Sequence, residues 1–272
     1  MKSTAVRHAA KRLAAFVACC LVAVALWSCG DRDKAEPEVR KAAQTRGNTS
    51  EDSFQGAKRT LARLVYHDHR ITLYCQAPYS EDGTVSLPSG FTAPKHRARA
   101  TRIEWEHVVP AENFGRTFPE WREGAPDCQD KRGTFKGRKC AERVNKEYRL
   151  MQADMYNLYP AIGAVNALRS NDNYAMLPGV PASFGSCAVK VAGNKVEPPE
   201  HARGTIARTT KYMAWAYPRF KLSRQQEQLM DAWDAMHPVD PWECTRARRI
   251  EAIQGNENPT VKEQCQKAGL WP

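Results

Sequence analysis

The sequence predicts an α+β fold, a mainly helical single domain with a few short antiparallel strands. Apolar residues recur at helical spacing in several long segments, and only short stretches have the β-branched and aromatic composition of strands. This mixture of many helices with little strand is typical of the α+β class. The chain contains no internal repeat, and its 272 residues are enough for one large domain or two small ones.

Residues 1–29 are predicted to be a signal peptide that lies outside the fold. A positively charged start is followed by an apolar run of 15 residues, Leu13–Trp27, which is too short to span a bilayer. The following Ser28-Cys29-Gly30 resembles a bacterial lipoprotein cleavage box, with Cys29 as the lipidated residue. Because Trp27 is unusual in such a box, ordinary signal cleavage and an uncleaved anchor are the alternatives.

A flexible linker is predicted next, over residues 30–55, and a folded domain over 56–272. The linker is polar, mixed in charge and nearly free of large apolar residues. Leu61, Leu64 and Val65 then indicate a first helix that continues toward Tyr74. Residues 77–95 are rich in proline, glycine and serine and predict a loop.

The middle of the chain predicts a strand over residues 102–109, and Pro110 then permits a turn or short helix. Residues 128–140 predict a loop or second strand, and residues 141–156 a helix. Pro160 is expected in the first turn of another helix that ends near Ser170.

The last third predicts a hairpin followed by three helices. The hairpin covers residues 186–196 and turns at Gly193-Asn194. The helices are expected at residues 202–217, 223–236 and 242–254.

Charge and cysteine content indicate an exported protein that prefers polyanions. The net charge of +11 falls to +7 once the four cations of residues 1–29 are removed. Beyond Cys29 there are six cysteines, which in an oxidising compartment predict disulfides with 15 possible connectivities. Only Cys128 with Cys140 is close enough in sequence to suggest a pair, and the absence of a Cys-x-x-Cys spacing argues against structural zinc.

The residues that carry chemistry are Glu104, Glu106 and His107 in the central strand. The pKa of histidine normally lies near neutrality, which suits a general base, and carboxylate oxygens suit Mg²⁺ or Ca²⁺. A regular strand would send Glu106 and His107 to opposite faces, so both serve one site only where the strand breaks, as Pro110 suggests. Asn166 could supply a second oxygen ligand, although by itself it reads as a surface helix residue.

These segments resemble the bacterial endonuclease I family of secreted nucleases with a ββα-metal (His-Me finger) site. The resemblance covers residues 56–265 in order. It is carried by Ile103-Glu104-Trp105-Glu106-His107 with Pro110, Asn157–Asn166, Arg203–Thr209, Leu222–Gln226, Trp242-Glu243-Cys244 and Ile253–Pro259.

The resemblance implies a role for each candidate residue. Glu106 and Asn166 would be the metal ligands, and His107 the general base. Arg138, in Gly137-Arg138-Lys139-Cys140, would contact the phosphate, and Glu104 would shape the site. The family commonly has an acidic residue where this chain has Gln152, whose side chain can neither take up a proton nor carry the charge of an outer-shell or second-metal ligand.

The expected function is metal-dependent hydrolysis of phosphodiester bonds in double- and single-stranded DNA, with low sequence specificity. RNA is a further candidate substrate. The implied cofactor is Mg²⁺, with Ca²⁺ or Mn²⁺ as alternatives. The protein is expected to be an exported monomer, located in the periplasm, anchored to the outer membrane, or secreted. Its only expected contact with a membrane is the lipid anchor. The alternatives are a noncatalytic DNA-binding surface lipoprotein and a phosphodiesterase confined to small esters.

Other charged and aromatic residues are expected to have mainly structural or surface roles. His67-Asp68-His69 is expected to be structural or on the surface, because residues two apart do not share a helix face. Arg97, Arg99 and Arg102 predict either a phosphate track or surface charge. Three arginines near the C-terminus are expected on a solvated helix face: Arg246, Arg248 and Arg249. Four tryptophans are expected mostly in the core rather than stacked on bases: Trp105, Trp121, Trp215 and Trp233.

Overall fold

The structure is a computed structural model that describes residues 46–271. The predicted signal peptide with Cys29, and residues 30–45 of the predicted linker, lie outside the described residues. The described helices are α1 (Phe54–Thr60, continued by a π-helical segment, Leu61–Val65), α2 (Ala111–Gly115), α3 (Pro119–Arg122), α4 (Arg138–Val144), α5 (Lys146–Gln152), α6 (Gly163–Arg169), α7 (Glu200–Ala216), α8 (Arg224–Met236), α9 (Pro241–Gln254) and α10 (Pro259–Lys267). The strands are β1 (Ile103–His107), β2 (Gln129–Asp130), β3 (Gly133–Thr134), β4 (Leu158–Ile162), β5 (Asn173–Tyr174), β6 (Lys190–Ala192) and β7 (Lys195–Glu197).

This mixture confirms the predicted α+β class. Helices dominate, and the strands form small sheets: β1 with β4, β2 with β3, and a three-stranded sheet in the order β5-β7-β6. Within residues 46–271, no helix has both the length and the apolar character needed to cross a membrane.

The end of the predicted linker is part of the fold. Asn48 is 0% exposed, and its side-chain amide donates to the carbonyls of Glu51 and Leu150. The backbone N–H of Asn48 donates to the hydroxyl of Tyr217 at 3.0 Å. A buried asparagine can therefore anchor a largely exposed segment when its polar groups find partners, and the fold begins before the predicted boundary at residue 56.

The two strands that frame the central region are β1 and β4. They pair antiparallel, with Ile103 opposite Ile162 and His107 opposite Leu158. The prediction of a helix beginning at Pro160 was therefore wrong, because Pro160 lies within β4 and the helix α6 begins only at Gly163. Helix α6 packs against both strands, which makes a strand–strand–helix unit.

Several helix bounds differ from the prediction. The first helical segment ends at Val65 rather than near Tyr74. The predicted helix over residues 141–156 is two helices, α4 and α5, because Asn145 adopts an extended backbone and its side chain caps α5 through the N–H of Tyr148. Helix α10 was missed, although Asn258 followed by Pro259 is a helix-start signal.

Two hydrophobic clusters form the core. The buried side chain of Arg246 connects several segments of the chain in this region. Arg246 was expected on a solvated face, yet it is 2% exposed and donates to the hydroxyls of Tyr66 and Tyr159 and to the carbonyl of Leu158. That prediction was wrong for Arg246 because five polar acceptors inside the fold satisfy its guanidinium. Arg248 is exposed, as expected.

All six cysteines of the described chain are paired. Cys128–Cys140 confirms the one pair that the sequence suggested. The other disulfides are Cys75–Cys187 and Cys244–Cys265, which join segments 112 and 21 residues apart.

Candidate active site

A cavity of about 760 Å³ lies along β1, and α1, α4 and α6 also contribute side chains to it. All five residues that the sequence placed in the site line this cavity: Glu104, Glu106, His107, Arg138 and Asn166. The structure therefore brings together residues that are up to 62 positions apart in the chain, the separation of Glu104 and Asn166.

His107 is held by the main chain of a neighbouring helix. Its Nε2 atom lies 2.8 Å from the carbonyl oxygen of Gln152, and its ring packs against Phe54 and Phe114. A carbonyl oxygen can only accept, so Nε2 carries the proton and the neutral ring keeps Nδ1 as its free acceptor. The imidazole is oriented with its basic nitrogen away from the helix.

The environment of His107 favours the neutral imidazole. Burial, followed by the positive charge of Arg138, lowers the pKa of His107 to about 3. The ring is thus uncharged at neutral pH, although the same environment lowers its proton affinity. A phosphate anion placed beside Arg138 would oppose the effect of that cation and raise the proton affinity of the ring.

Glu106 sits deeper, in a polar pocket. It is 2% exposed; its Oε1 accepts from the hydroxyl of Tyr74 at 2.8 Å and lies 3.2 Å from the guanidinium of Arg169. Burial raises the pKa of Glu106, against the opposing effect of Arg169. Among the described residues, Oε2 of Glu106 has no hydrogen-bond partner, and Glu106 is one of the residues that line the cavity.

Arg169 ties Glu106 to the end of β1. Its guanidinium donates to the carbonyls of His107 and Val108 at 2.9 and 2.7 Å, and it lies over the ring of Tyr174. The side chain is 1% exposed. One cation therefore fixes both the carboxylate of Glu106 and the backbone that carries His107.

Glu104 and Asn166 are in direct contact. The Nδ2 atom of Asn166 donates to Oε2 of Glu104 at 3.0 Å, and Arg99 donates to both carboxylate oxygens. Burial alone would raise the pKa of Glu104, but Arg99 holds it below its usual range. Asn166 thus lies beside the cavity as predicted, and its direct carboxylate partner is Glu104 rather than Glu106.

The side chain of Gln152 does not line the cavity. It is buried, its Oε1 accepts from the hydroxyl of Tyr148, and its Nε2 donates to Glu142 at 2.8 Å. Only the main-chain carbonyl of Gln152 contacts a site residue, His107. The imidazole is therefore oriented by a main-chain group, which every residue type at this position would supply.

The cavity lining contains more cations than carboxylates, even though Glu104, Glu106 and Glu112 are part of it. Lys58, Arg99 and Arg102 line it together with Arg138, and both Arg102 and Arg138 are exposed. Arg99 and Arg102 were two members of the predicted phosphate track; Arg97 does not line the cavity. A wall of guanidinium and ammonium groups is suited to the phosphate backbone of a nucleic acid.

Sequence reasoning missed three residues of this region: Lys58, Tyr74 and Arg169. Lys58 lies one helical turn from Phe54 on α1, and its ammonium lies 4.6 Å from the centre of the Phe54 ring. Arg169 lies three residues after Asn166 at the end of a short apolar helix, which was its only signal. Nothing in the sequence around Tyr74 indicates that its hydroxyl reaches Glu106.

The described residues contain no cluster of three or more histidine, cysteine, aspartate or glutamate side chains that could hold a metal by themselves. Glu112, Ser170 and Asn171 also line the cavity with side-chain oxygens, but the predicted set is Glu104, Glu106 and the amide of Asn166. A hard cation could use such a sparse set only if water or substrate completed its coordination.

Known nucleases are similar to this chain along most of its length. Residues 43–265 match the sequence model of endonuclease I. An extracellular deoxyribonuclease of Aeromonas hydrophila is 40% identical over 221 residues, which cover 79% of this chain and 91% of that protein. A periplasmic deoxyribonuclease of Aeromonas hydrophila is 40% identical over 222 residues, covering 79% and 87%. Endonuclease-1 of Buchnera aphidicola subsp. Acyrthosiphon pisum is 42% identical over 180 residues, covering 65% and 66%.

The fold, the basic cavity and these relatives define a hydrolytic endonuclease. The chain belongs to the endonuclease I family. This membership argues against the noncatalytic DNA-binding lipoprotein that the sequence left open.

Proposed function

We propose that this endonuclease hydrolyses the phosphodiester bonds of DNA, with His107 as general base and one bound Mg²⁺. The observation that carries the proposal is the bond between Nε2 of His107 and the carbonyl of Gln152, which leaves Nδ1 as the free acceptor of a neutral imidazole. Arg138 lines the same cavity, where it can face a phosphate. The relatives named deoxyribonucleases support DNA as the substrate.

The donor set fits a hard divalent cation. Oε2 of Glu106 has no protein donor among the described residues. Burial disfavours the charged form of this carboxylate, and a bound cation would stabilise that form. Glu106 and Asn166 would hold Mg²⁺, with Ca²⁺ or Mn²⁺ as alternative cations. A bound cation would offset charge on the phosphate and favour departure of the 3′ oxygen.

The protein side chains account for the remaining steps. Nδ1 of His107 accepts a proton from a water molecule while the carbonyl of Gln152 keeps the ring in place. Arg138 donates to the phosphate, and Lys58 and Arg102, which line the same cavity, attract the neighbouring backbone. Because every sequence presents the same backbone, recognition of this kind gives low sequence specificity, and RNA is a further candidate substrate.

The setting that we propose is outside the cytoplasm. The relatives named extracellular and periplasmic deoxyribonucleases, the predicted signal peptide and the three disulfides support export. Lipidation at Cys29 and a monomeric state complete the proposal. Mass spectrometry of the membrane fraction, with Cys29→Ser as control, tests the lipid.

The test of the catalytic proposal is plasmid digestion by the chain without residues 1–29, with and without EDTA. His107→Ala should lower the rate about 10²–10⁴-fold, the usual contribution of a general base. His67→Ala is the matched control, because His67 is half exposed and does not line the cavity. Undiminished nicking by His107→Ala would show that His107 is not the general base. Full activity in EDTA would show that the reaction does not need a metal.

A second comparison identifies the metal-binding carboxylate. Glu106→Gln and Asn166→Ala should raise the Mg²⁺ concentration needed for half-maximal rate, because the first removes the negative charge of a ligand and the second removes an oxygen ligand. Glu104→Gln should lower the rate without that shift if it only shapes the site. A shift with Glu104→Gln and none with Glu106→Gln would assign the ligand to Glu104, the carboxylate that contacts Asn166.

A further inference from the structure

The hairpin formed by residues 128–140, here called the basic hairpin, carries charge that the cavity does not use. It contains β2 and β3, which pair with Gln129 opposite Thr134, and the disulfide Cys128–Cys140 closes it. Lys131 and Arg132 occupy the two-residue turn between the strands, and both are exposed. The hairpin is thus a short, covalently closed arm with two cations at its tip.

Some cations of this region stabilise the arm itself. Lys139 pairs with Asp130 at 2.7 Å and lies over the ring of Phe135. Arg143, just beyond the hairpin, donates to the carbonyls of Asp127 and Gln129 and also lies over Phe135. These two cations are already committed to holding the hairpin in shape.

Three other cations are free. Lys131, Arg132 and Lys136 are exposed, and none of their side chains has an ion pair or hydrogen bond within the part of the chain that is described. A second cavity, of about 450 Å³, shares Arg169 with the active site and offers a contrast. Its Arg116 and Arg219 are each paired with a glutamate, and Lys221 is its one exposed cation without an ion pair among the described residues.

The basic hairpin runs directly into the active-site cavity. The N–H of Gly137 donates to the carbonyl of Trp121 at 2.9 Å, and Trp121 and Arg138 both line the cavity. The chain from Lys131 to Arg138 is about seven residues long, so the tip lies at most about 25 Å from Arg138. Phosphates of one DNA strand are spaced about 3.4 Å apart along the axis, so this reach corresponds to at most about seven nucleotides.

We propose that the basic hairpin is a second DNA-binding element, in which Lys131, Arg132 and Lys136 contact backbone phosphates outside the active site. The inference rests on the proposed function, since it extends the substrate surface of that cavity. The hairpin raises affinity for long DNA and takes no part in bond cleavage. Its contacts are to phosphates, so they are independent of sequence and weaken with salt.

The test is a triple variant that replaces all three free cations, Lys131→Gln, Arg132→Gln and Lys136→Gln, in the chain without residues 1–29. On a duplex of about 30 base pairs, KM should rise about tenfold with kcat within about twofold, because only backbone contacts are lost. The slope of log KM against log salt concentration should fall by roughly 2 to 3, about 0.9 for each lost phosphate contact.

The matched control removes three other exposed cations, Arg63→Gln, Arg248→Gln and Lys267→Gln, none of which lines the cavity. Its salt slope should change by less than about 1. The p-nitrophenyl ester of thymidine 5′-phosphate is too small to reach the hairpin, so its hydrolysis should be equal in both variants. Equal effects of the two triple variants on the long duplex would overturn the proposal.

Binding measured in EDTA separates this proposal from the proposed function. Fluorescence anisotropy with the same duplex should show about a tenfold weaker Kd for the hairpin variant and little change for the control. A chain that binds DNA in this manner but does not cut it refutes the catalytic proposal alone. A chain that cuts DNA and shows no hairpin effect refutes the hairpin alone.

Discussion

At the scale of single residues, Arg169 explains how neighbouring positions on a strand can serve one cavity. Glu106 and His107 should point to opposite faces of β1, and the strand ends at His107. The guanidinium of Arg169 holds the carboxylate of Glu106 and the carbonyls of His107 and Val108 together. The site therefore depends on a buried cation that contacts the backbone at the very end of the strand.

Replacing Arg169 should destabilise the protein strongly. Arg169→Met leaves the carboxylate of Glu106 buried without its cation and two carbonyls without donors, which should lower the free energy of unfolding by about 3–5 kcal/mol. Arg169→Lys should recover only part of the loss, because an ammonium cannot reproduce the planar fork. Urea unfolding measures both variants, and a loss below about 1 kcal/mol for Arg169→Met would contradict this role.

The sequence identified the residues that line the cavity better than it identified their contacts. His107, Arg138 and Asn166 were found because the family motif contains them. Their supporting groups were not, because a main-chain carbonyl such as that of Gln152 is present at every residue and leaves no sequence signal. The hydroxyl of Tyr74 reaches Glu106 across 32 positions, which no local pattern encodes.

At the scale of elements, Gly163 sets how closely α6 approaches β1. A Cβ atom at this position would lie 2.5 Å from the carbonyl oxygen of Arg99 and 2.9 Å from Oε1 of Glu104. Both distances are too short for real contacts, and the first involves backbone. The absence of a side chain therefore allows the helix that carries Asn166 to meet Glu104.

Gly163→Ala should lower stability by about 1–3 kcal/mol, since overpacking exceeds the gain of about 1 kcal/mol in helix propensity. Gly56→Ala is the matched control in another helix, because the atoms nearest to its Cβ belong to the flexible carboxylate of Glu51. That control should be neutral or stabilised. Thermal unfolding compares them, and equal behaviour of the two variants would show that α6 has room to shift.

The packing of α7 against α8 predicts a pH dependence. Burial would raise the pKa of Asp234, but hydrogen bonds from Gln264 and Lys211, with Arg208, hold it below its usual value of 3.8. A carboxylate with a lowered folded-state pKa stabilises the protein above its unfolded pKa, and the contribution disappears as pH falls through the folded value.

Asp234→Asn should therefore lower the melting temperature clearly at pH 7, with a loss on the order of 3 kcal/mol. The difference from the unmodified chain should shrink below about pH 4, where the native carboxylate begins to lose its advantage. Asp231→Asn is the control, because Asp231 bridges the same Lys211 from an exposed position. A difference that stays constant with pH would contradict the ion-pair explanation.

Elements were predicted well where periodicity was long and poorly where the backbone was short or interrupted. The bounds of α7, α8 and α9 agree closely with the prediction, since each has 13 to 17 residues of helical pattern. The strand β4 was taken for a helix because Pro160 is common in first helical turns, and only its partner β1 shows that it is extended. Such pairing joins residues that are far apart in the chain, so no local sequence pattern indicates it.

At the scale of the whole molecule, the three disulfides close loops of very different length. Cys75–Cys187 spans 112 positions and Cys128–Cys140 spans 12. Restricting the unfolded chain is worth more for the longer loop, about 4.7 kcal/mol near 100 residues and about 3 kcal/mol near 15. The long-range bridge should therefore matter more for global stability.

Replacing both cysteines of each pair by serine should show this order. The Cys75–Cys187 variant is expected to lose more stability than the Cys128–Cys140 variant, with Cys244–Cys265 between them. Denaturant unfolding under oxidising conditions measures each variant against the same parent. A Cys128–Cys140 variant that unfolds earliest would indicate that the basic hairpin supports the core rather than projecting from it.

The buried Asn48 has a consequence for maturation by proteases. Its amide links residues that enter the domain to Leu150 and Tyr217, far along the chain. A protease that trims the N-terminus beyond this residue would leave the hydroxyl of Tyr217 and the carbonyl of Leu150 without these donors inside the protein. Any shortened form that remains active should accordingly begin before Asn48, which N-terminal sequencing of the released enzyme can establish.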